Sequence, residues 1–328
     1  MIFVTGGTGL VGSFLLRELV RTGKGPIRAL KRSHSNISGL NDLRDKIEWV
    51  CSELDDIVTL NELLQGVTQV YHCAAEIGYS NASSASLFKV NREGTANLVN
   101  ACLSNQVQHF MYVSSISALG ANPASGMISE ESKWEDNDLN TQYGISKMLG
   151  EREVWRGMAE GMPCTIVNPG IILGPAKWEY GSGKMWRHIE KESRFYVDST
   201  NGFIDVRDVV QIMVQLMDIN KPGEQYILVA GNYSINEVLQ EIAGIMKKRP
   251  PTIRINSKWL KILALEESVR SFLTGSLPIV TKETARLAGK DFHYSNQKIK
   301  DLLQYQFIPL HATVEFITEI YFRERLNQ

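Results

Sequence analysis

The chain has 328 residues, 43% of them hydrophobic, enough to bury a large sheet with a second lobe over it. Its 35 lysines and arginines nearly balance 36 aspartates and glutamates, which excludes the electrostatic footprint of a nucleic-acid or anionic-membrane binder and leaves a small molecule as the expected partner. Four cysteines, Cys51, Cys73, Cys102 and Cys164, stand singly and the six histidines form no ligand cluster, so no metal is expected and reduced thiols point to the cytoplasm. No apolar run approaches membrane-spanning length, and the first strand begins at Met1, where a signal peptide would need its basic leader and apolar core.

Met1 to Val4 form an apolar run that gives way to Thr5 and then to Gly6, Gly9 and Gly12. Beyond them, Ser13 to Val20 place apolar residues at helical rather than strand spacing, so the stretch reads as strand, turn and helix. The glycines match what a pyrophosphate needs. Gly6 lets the chain turn off the strand, Gly9 lets backbone approach the phosphates, and Gly12 lets the helix pack on the strand with its free N–H groups facing the anion. Between an apolar strand and an amphipathic helix, this turn predicts a dinucleotide site contacted by Thr5, Gly6, Gly9, Leu10, Val11 and Gly12.

Further strands are predicted over residues 26–30, 46–50, 68–73, 109–113, 164–167 and 225–229, most of them separated by helical patterns. Such alternation gives an α/β fold, a doubly wound parallel Rossmann sheet. From Asn232 onward the pattern is mainly helical, opened by Ser234 and Glu237 at capping-box spacing, which predicts a smaller, mainly helical C-terminal substrate lobe. The expected division is residues 1–167 as the dinucleotide-binding domain, with 203–230 returning to it, and 168–202 with 231–328 as the substrate-binding lobe. His72, inside an apolar strand, reads as a hydrogen-bonded core residue.

The end of the second strand bears on cofactor choice. An acidic residue about 20 positions after the glycine turn would hold the ribose 2′-hydroxyl of NAD, whereas a cation accommodates the 2′-phosphate of NADP. Here the strand runs into Lys31, Arg32 and Ser33, of which Arg32 offers a bidentate fork and Ser33 a hydroxyl, so NADP(H) is expected ahead of NAD(H). The plain alternative is a solvated basic turn.

Chemistry is expected after the fifth strand. Ser114 and Ser115 close it, where the carboxyl ends of the strands line a ligand crevice, and Tyr143 and Lys147 stand one helical turn apart on a shared face. A phenol near pKa 10 is a poor acid–base group at neutral pH, so a cation four residues away would stabilise its phenolate. Lys147 supplies that charge, Ser115 hydrogen-bonds a substrate carbonyl oxygen, and Tyr143 delivers the proton.

The Thr-Gly-x-x-Gly-x-x-Gly turn, the serine pair after strand five and Tyr-x-x-x-Lys together resemble the extended short-chain dehydrogenase/reductase family. That family includes NAD-dependent epimerase/dehydratases and dihydroflavonol-4-reductase-like enzymes, and the resemblance spans essentially the whole chain. It implies that Ser115, Tyr143 and Lys147 are catalytic, and that Tyr143 and Lys147 also touch the cofactor. His72-Cys73-Ala74-Ala75 resembles the cofactor-lining exit of strand four, and the segment around Asn91 resembles the start of the fourth helix. Asn91 then either supports the active site or simply starts a helix. Pro169, Gly170 and Ile171 fall in the strand-six exit, and residues 203–209 resemble the segment returning to the core. Glu53, followed by Leu54, stands where the family more often has an aspartate near the adenine. The family also often forms homodimers through two helices, here around residues 84–104 and 141–158.

Two departures narrow the substrate. Sugar-nucleotide enzymes of the family carry an asparagine and an arginine at places that here hold Ile171 and Asn201, which offer neither the amide nor the charge a diphosphate favours. Between Gly174 and Asn201, Trp178, Tyr180, Trp186, Phe195 and Tyr196 either fold over an apolar ring or pack the second lobe. The expected activity is NADP(H)-dependent reduction of a ketone or aldehyde, or the reverse, on a fairly apolar molecule. The alternatives are a nucleotide-sugar 4-epimerase or dehydratase with bound NAD, and a non-catalytic dinucleotide sensor, against which the intact Ser115, Tyr143 and Lys147 set argues.

Overall fold

Seven apolar runs build the central sheet of the computed structural model, which describes residues 1–77, 84–120, 126–175, 178–255 and 286–326. They are β1 (Ile2–Thr5), β2 (Ile27–Lys31), β3 (Glu48–Cys51), β4 (Gln69–His72), β5 (His109–Val113), β7 (Cys164–Pro169) and β11 (Glu224–Leu228), counting a short β6 (Met127–Ile128) and three strands introduced below. All pairings are parallel, in the order β3-β2-β1-β4-β5-β7-β11. The strands predicted from sequence are all present, with ends displaced by one or two residues. The winding reverses between β1 and β4, so the loops leaving those strands open a crevice there.

Parallel strands buried on both faces are mainly apolar, and every residue of β1 and β5 is buried, Thr5 and His109 included. Successive side chains divide between two cores. Ile2, Val4, Met111 and Val113 face one side of the sheet, and Phe3, Phe110 and Tyr112 the other. The flanking helices are α1 (Leu10–Arg21), α2 (Ile57–Leu63), α3 (Ser84–Phe88), α4 (Thr95–Ser104), α5 (Gln142–Ala159), α6 (Lys184–Glu190) and α7 (Val206–Ile219). Leu15, Leu16 and Leu19 of α1 close the first core with Val209, Met213 and Met217 of α7. Leu60 of α2, Leu98 and Cys102 of α4, and Val154 of α5 close the second.

A second, three-stranded sheet is made by β8 (Ile171–Leu173), β10 (Thr200–Asp205) and β12 (Gly231–Ser234), with β10 in the centre, parallel to β8 and antiparallel to β12. Of residues 203–209, expected to return the chain to the core, 203–205 lie in β10 of the small sheet and 206–209 open α7, which packs on α1. The helical pattern expected from Asn232 begins after β12 with α8 (Ile235–Met246), whose capping box is formed: Ser234 Oγ accepts from Glu237 N at 3.1 Å and Ser234 N donates to the Glu237 carboxylate at 2.6 Å. Then come α9 (Gln297–Leu303) and α10 (Leu310–Leu326), while β9 (Phe195–Tyr196) pairs with β13 (Ile253–Arg254) and β6 with β14 (His293–Tyr294).

Two of the aromatic residues after Gly174 pack the second lobe. Trp178 and Trp186 are buried among α6, α8 and α10, with their indole N–H groups donated to Glu324 at 2.7 Å and Thr318 at 2.8 Å, and Trp178 lies edge-on to Tyr321 with ring centroids 4.6 Å apart. Both indoles thus bury a large ring with its one polar atom satisfied. Tyr196 packs against the same core, and Tyr180 and Phe195 are exposed. Among the described residues no helix is long and apolar enough to cross a membrane.

Candidate active site

The glycine turn has the geometry that a bound diphosphate requires. Gly6 leaves β1 with φ +69°, and a Cβ there would lie 2.6 Å from the Ala74 nitrogen, so the tips of β1 and β4 abut as only glycine allows. Gly9 N donates to Gly6 O at 2.9 Å, closing the turn, and Ser13 N donates to Gly9 O at 2.9 Å, starting α1. A Cβ on Gly12 would fall 2.2 Å from Gly6 O, so the first turn of α1 is pressed onto the loop. A Cβ on Gly9 would meet nothing within 4 Å except Gly6 O at 3.3 Å, which leaves its outer side open. These features fit a dinucleotide, whose phosphates the N–H groups at the start of α1, where Leu10 and Val11 lie, would hold.

A cavity of about 480 Å³ runs from this turn along the ends of β1 to β4. Of the residues named from sequence, Gly6, Gly9, Lys31, Arg32, Glu53 and Leu54 line it, as do Cys73, Ala74 and Ala75. Ser33 does not. The chain turns tightly after Arg32, with Ser35 N donating to Arg32 O at 3.0 Å and Ser35 Oγ accepting from Arg32 N at 3.2 Å, so Ser35 reaches the cavity in its place. Sequence reasoning also missed Lys89, which lines the cavity and pairs with Asp55 at 2.9 Å. Pro169, Gly170 and Ile171 lie off this cavity at the β7–β8 junction, where Gly170 N donates to Leu228 O at 3.0 Å.

Thr5 faces inward and anchors a buried hydrogen-bonded line. Ala74 N donates to Thr5 Oγ1 at 3.3 Å, Thr5 Oγ1 meets His72 Nδ1 at 2.6 Å, His72 Nε2 meets Thr95 Oγ1 at 3.0 Å, and Thr95 donates to Asn91 O at 2.7 Å. Because Thr95 gives its own proton to Asn91, the hydrogen bonds assign the imidazole proton to Nε2. Asn91 sits within a π-helical turn (Lys89–Gly94), not at a helix start. Its amide donates to Glu76 O and to Ser146 Oγ, both at 2.9 Å, and accepts from Glu76 N at 2.8 Å. Ser146 Oγ in turn donates to Tyr143 O at 2.8 Å. Asn91 therefore ties the exit of β4 to α5.

Complete burial and the nearby Lys147 pull His72 down from 6.5 to about 3. The unfolded imidazole takes up a proton below pH 6.5 and the folded one does not, so this group's contribution is present above that pH and is lost as pH falls toward about 3. The loss runs at about 1.4 kcal/mol per pH unit. Urea unfolding of wild type and His72→Gln across this window should give a shallower pH dependence in the variant; equal slopes would remove His72 as the source.

The three residues read as catalytic come from the loop after β5 and from α5. Thr141 caps α5 by accepting from Gly144 N at 2.9 Å, which sets Tyr143 in the first turn, half-buried. Ser115 caps the short helical turn Ile116–Leu119, its Oγ accepting from Ser117 N at 3.1 Å. A Cβ on Gly144 would lie 2.6 Å from Ser117 O, so the Ser115 turn and the Tyr143 turn pack directly together. One helical turn on, Lys147 is buried, donates to Val113 O at 2.7 Å and holds its ammonium 4.2 Å above the Tyr112 ring. Burial draws Lys147 down to about 7, so its positive charge is not guaranteed by residue type alone.

A family model described as the NAD dependent epimerase/dehydratase family matches residues 2–230. The chain belongs to this family. Sterol demethylase protein B of Methylococcus capsulatus is 29% identical over 266 residues, covering 80% of this chain and 79% of that protein. A putative dihydroflavonol 4-reductase of Synechocystis is 28% identical over 306 residues, covering 90% and 87%. The crystal structure of gox2253 superposes with a TM-score of 0.83 at 29% identity, covering 99% of this chain and 98% of that one. This member of the epimerase/dehydratase family is an NAD(P)-dependent enzyme of the extended short-chain dehydrogenase/reductase type.

Proposed function

We propose that the enzyme uses NADP(H) to reduce a ketone or aldehyde, or to oxidise the matching alcohol, on a fairly apolar small molecule. The observation that carries the cofactor choice is the lining of the cavity at the end of β2, where Lys31 and Arg32 stand in place of an acidic partner for a ribose 2′-hydroxyl. The bound nicotinamide supplies hydride. Ser115 Oγ accepts from Ser117 N and so keeps its own proton to donate to the substrate oxygen, Tyr143 gives that oxygen a proton, and Lys147 holds positive charge beside the phenol.

Two positions favour a reductase of an apolar molecule over a sugar-nucleotide epimerase. Ile171 is a sheet residue of β8 without a donor, and the Asn201 amide oxygen accepts from Gly202 N at 2.9 Å. Neither offers a charge to a diphosphate. A homodimer through α4 and α5 would bury a polar face, since Arg156 on α5 pairs with Glu153 and Glu160 and donates to Asn100 of α4.

The test is analysis of nucleotide released on denaturing the purified protein, followed by titration with both reduced cofactors. Little retained nucleotide and reversible, tighter binding of NADPH are expected. Stoichiometric NAD held through purification would favour the epimerase.

A further inference from the structure

Beneath Lys147, on the same face of α5 and one turn on, lies Glu151, a buried acid that the proposed reaction does not use. Its carboxylate receives the Asn168 amide at 2.6 Å and the Gln225 amide at 3.3 Å. Asn168 is shared: its Nδ2 also donates to Ser115 O at 2.9 Å, and its Oδ1 accepts from Gln225 Nε2 at 2.8 Å. One acid thus stands one helical turn from the lysine and, through one amide on β7, is linked to the backbone of the serine that follows β5. Amide donors converging on an oxygen favour a carboxylate, which accepts only, over a carboxylic acid.

The other titratable groups around Lys147 cannot hold its charge. From β4 it faces His72, held neutral by burial, and just beyond that strand Cys73, whose thiol burial pushes up to about 12. From β5 it faces Tyr112, whose phenol burial also pushes upward. On α5 the neighbours are Tyr143, the group Lys147 is to assist, and Glu151, whose negative charge favours the ammonium. Burial raises the Glu151 carboxyl above its ordinary value, and the donors from Asn168 and Gln225 and the cation on Lys147 offset part of that rise.

We propose that Glu151 is a positioning residue that keeps Lys147 cationic and, through Asn168, fixes the backbone of Ser115. The idea rests on the reading of Ser115, Tyr143 and Lys147 as the reacting set, but its test is independent of any substrate. With ¹³C at lysine Cε, the Lys147 resonance is assigned by its loss in Lys147→Met and followed from about pH 5 to 9. Glu151→Gln keeps the size and an acceptor oxygen but removes the charge, and should lower the Lys147 midpoint by roughly one pH unit or more. Glu151→Asp keeps the charge and should leave the midpoint near wild type.

An unmoved midpoint in Glu151→Gln overturns the proposal, as does an equal fall in Glu151→Asp, which would make side-chain length rather than charge the cause. Should Glu151→Gln fail to fold, Gln225→Leu withdraws one donor from the carboxylate and should lower the midpoint in the same direction; no movement there overturns the proposal equally. If the reductase reading also holds, the alkaline limb of turnover moves to lower pH with the midpoint. A midpoint that moves in an enzyme whose Tyr143→Phe variant keeps full turnover would sink the reaction scheme and leave the Glu151–Lys147 coupling standing.

Discussion

Tyr143→Phe is expected to lower turnover by about 10²–10⁴-fold, the span that a positioned acid–base group supplies, while NADPH affinity stays close to wild type. Tyr143 lies in the first turn of α5, packed against the turn that Ser115 caps, and its hydroxyl is assigned to the substrate oxygen rather than to the dinucleotide. Phenylalanine keeps the ring and its packing, so the loss falls on the chemical step. Steady-state rates together with nicotinamide fluorescence titration separate the two effects. A variant that retains most of its activity would remove Tyr143 from the reaction.

Arg32→Asp should turn the preference from NADPH toward NADH. A charge-assisted hydrogen bond contributes about 1.5–3 kcal/mol, so loss of the guanidinium alone weakens NADPH by roughly 10–150-fold and leaves NADH nearly untouched. The aspartate adds repulsion to that loss, and Lys31, on the same cavity wall, limits the size of the switch. The loop itself should survive, because Ser35 Oγ is held by the backbone nitrogen of Arg32 and not by its side chain. Equal weakening of both reduced cofactors would mean that Arg32 only supports the loop, and a wild-type preference for NADH would overturn the NADP assignment.

The parts of the molecule legible in the sequence are those whose cause is local. Strands buried on both faces, such as β5 with Phe110, Met111, Tyr112 and Val113 in a row, are apolar over most of their length, and so they announce themselves even where their ends slip. Gly6 and Gly12 could be read because backbone contact leaves no room for any other residue. By contrast β12, with the sequence Gly-Asn-Tyr-Ser, has no apolar signal, and its extended form is set by pairing with residues 200–203 of β10.

Long-range packing hid the rest. Trp178 and Trp186 stand close to the expected pocket in sequence, yet their partners Tyr321 and Thr318 lie on the last helix, which no local pattern links to them. Lys89 reaches the cavity by pairing with Asp55 from a π-helical turn, a geometry with no compositional mark. Ser33 and Ser35 are chemically alike, and only the backbone turn after Arg32 chooses between them. Glu151 meets Asn168 and Gln225 from two separate strands, partners that no local pattern links to it.

Every polar atom along the line from Ala74 through Thr5, His72, Thr95 and Asn91 to Ser146 is committed to a neighbour inside the protein. Opening the Thr5–His72 or His72–Thr95 bond would strand a fully buried donor or acceptor. The end of β1 and the first turn of α5 therefore rest on one continuous buried support rather than on two separate ones.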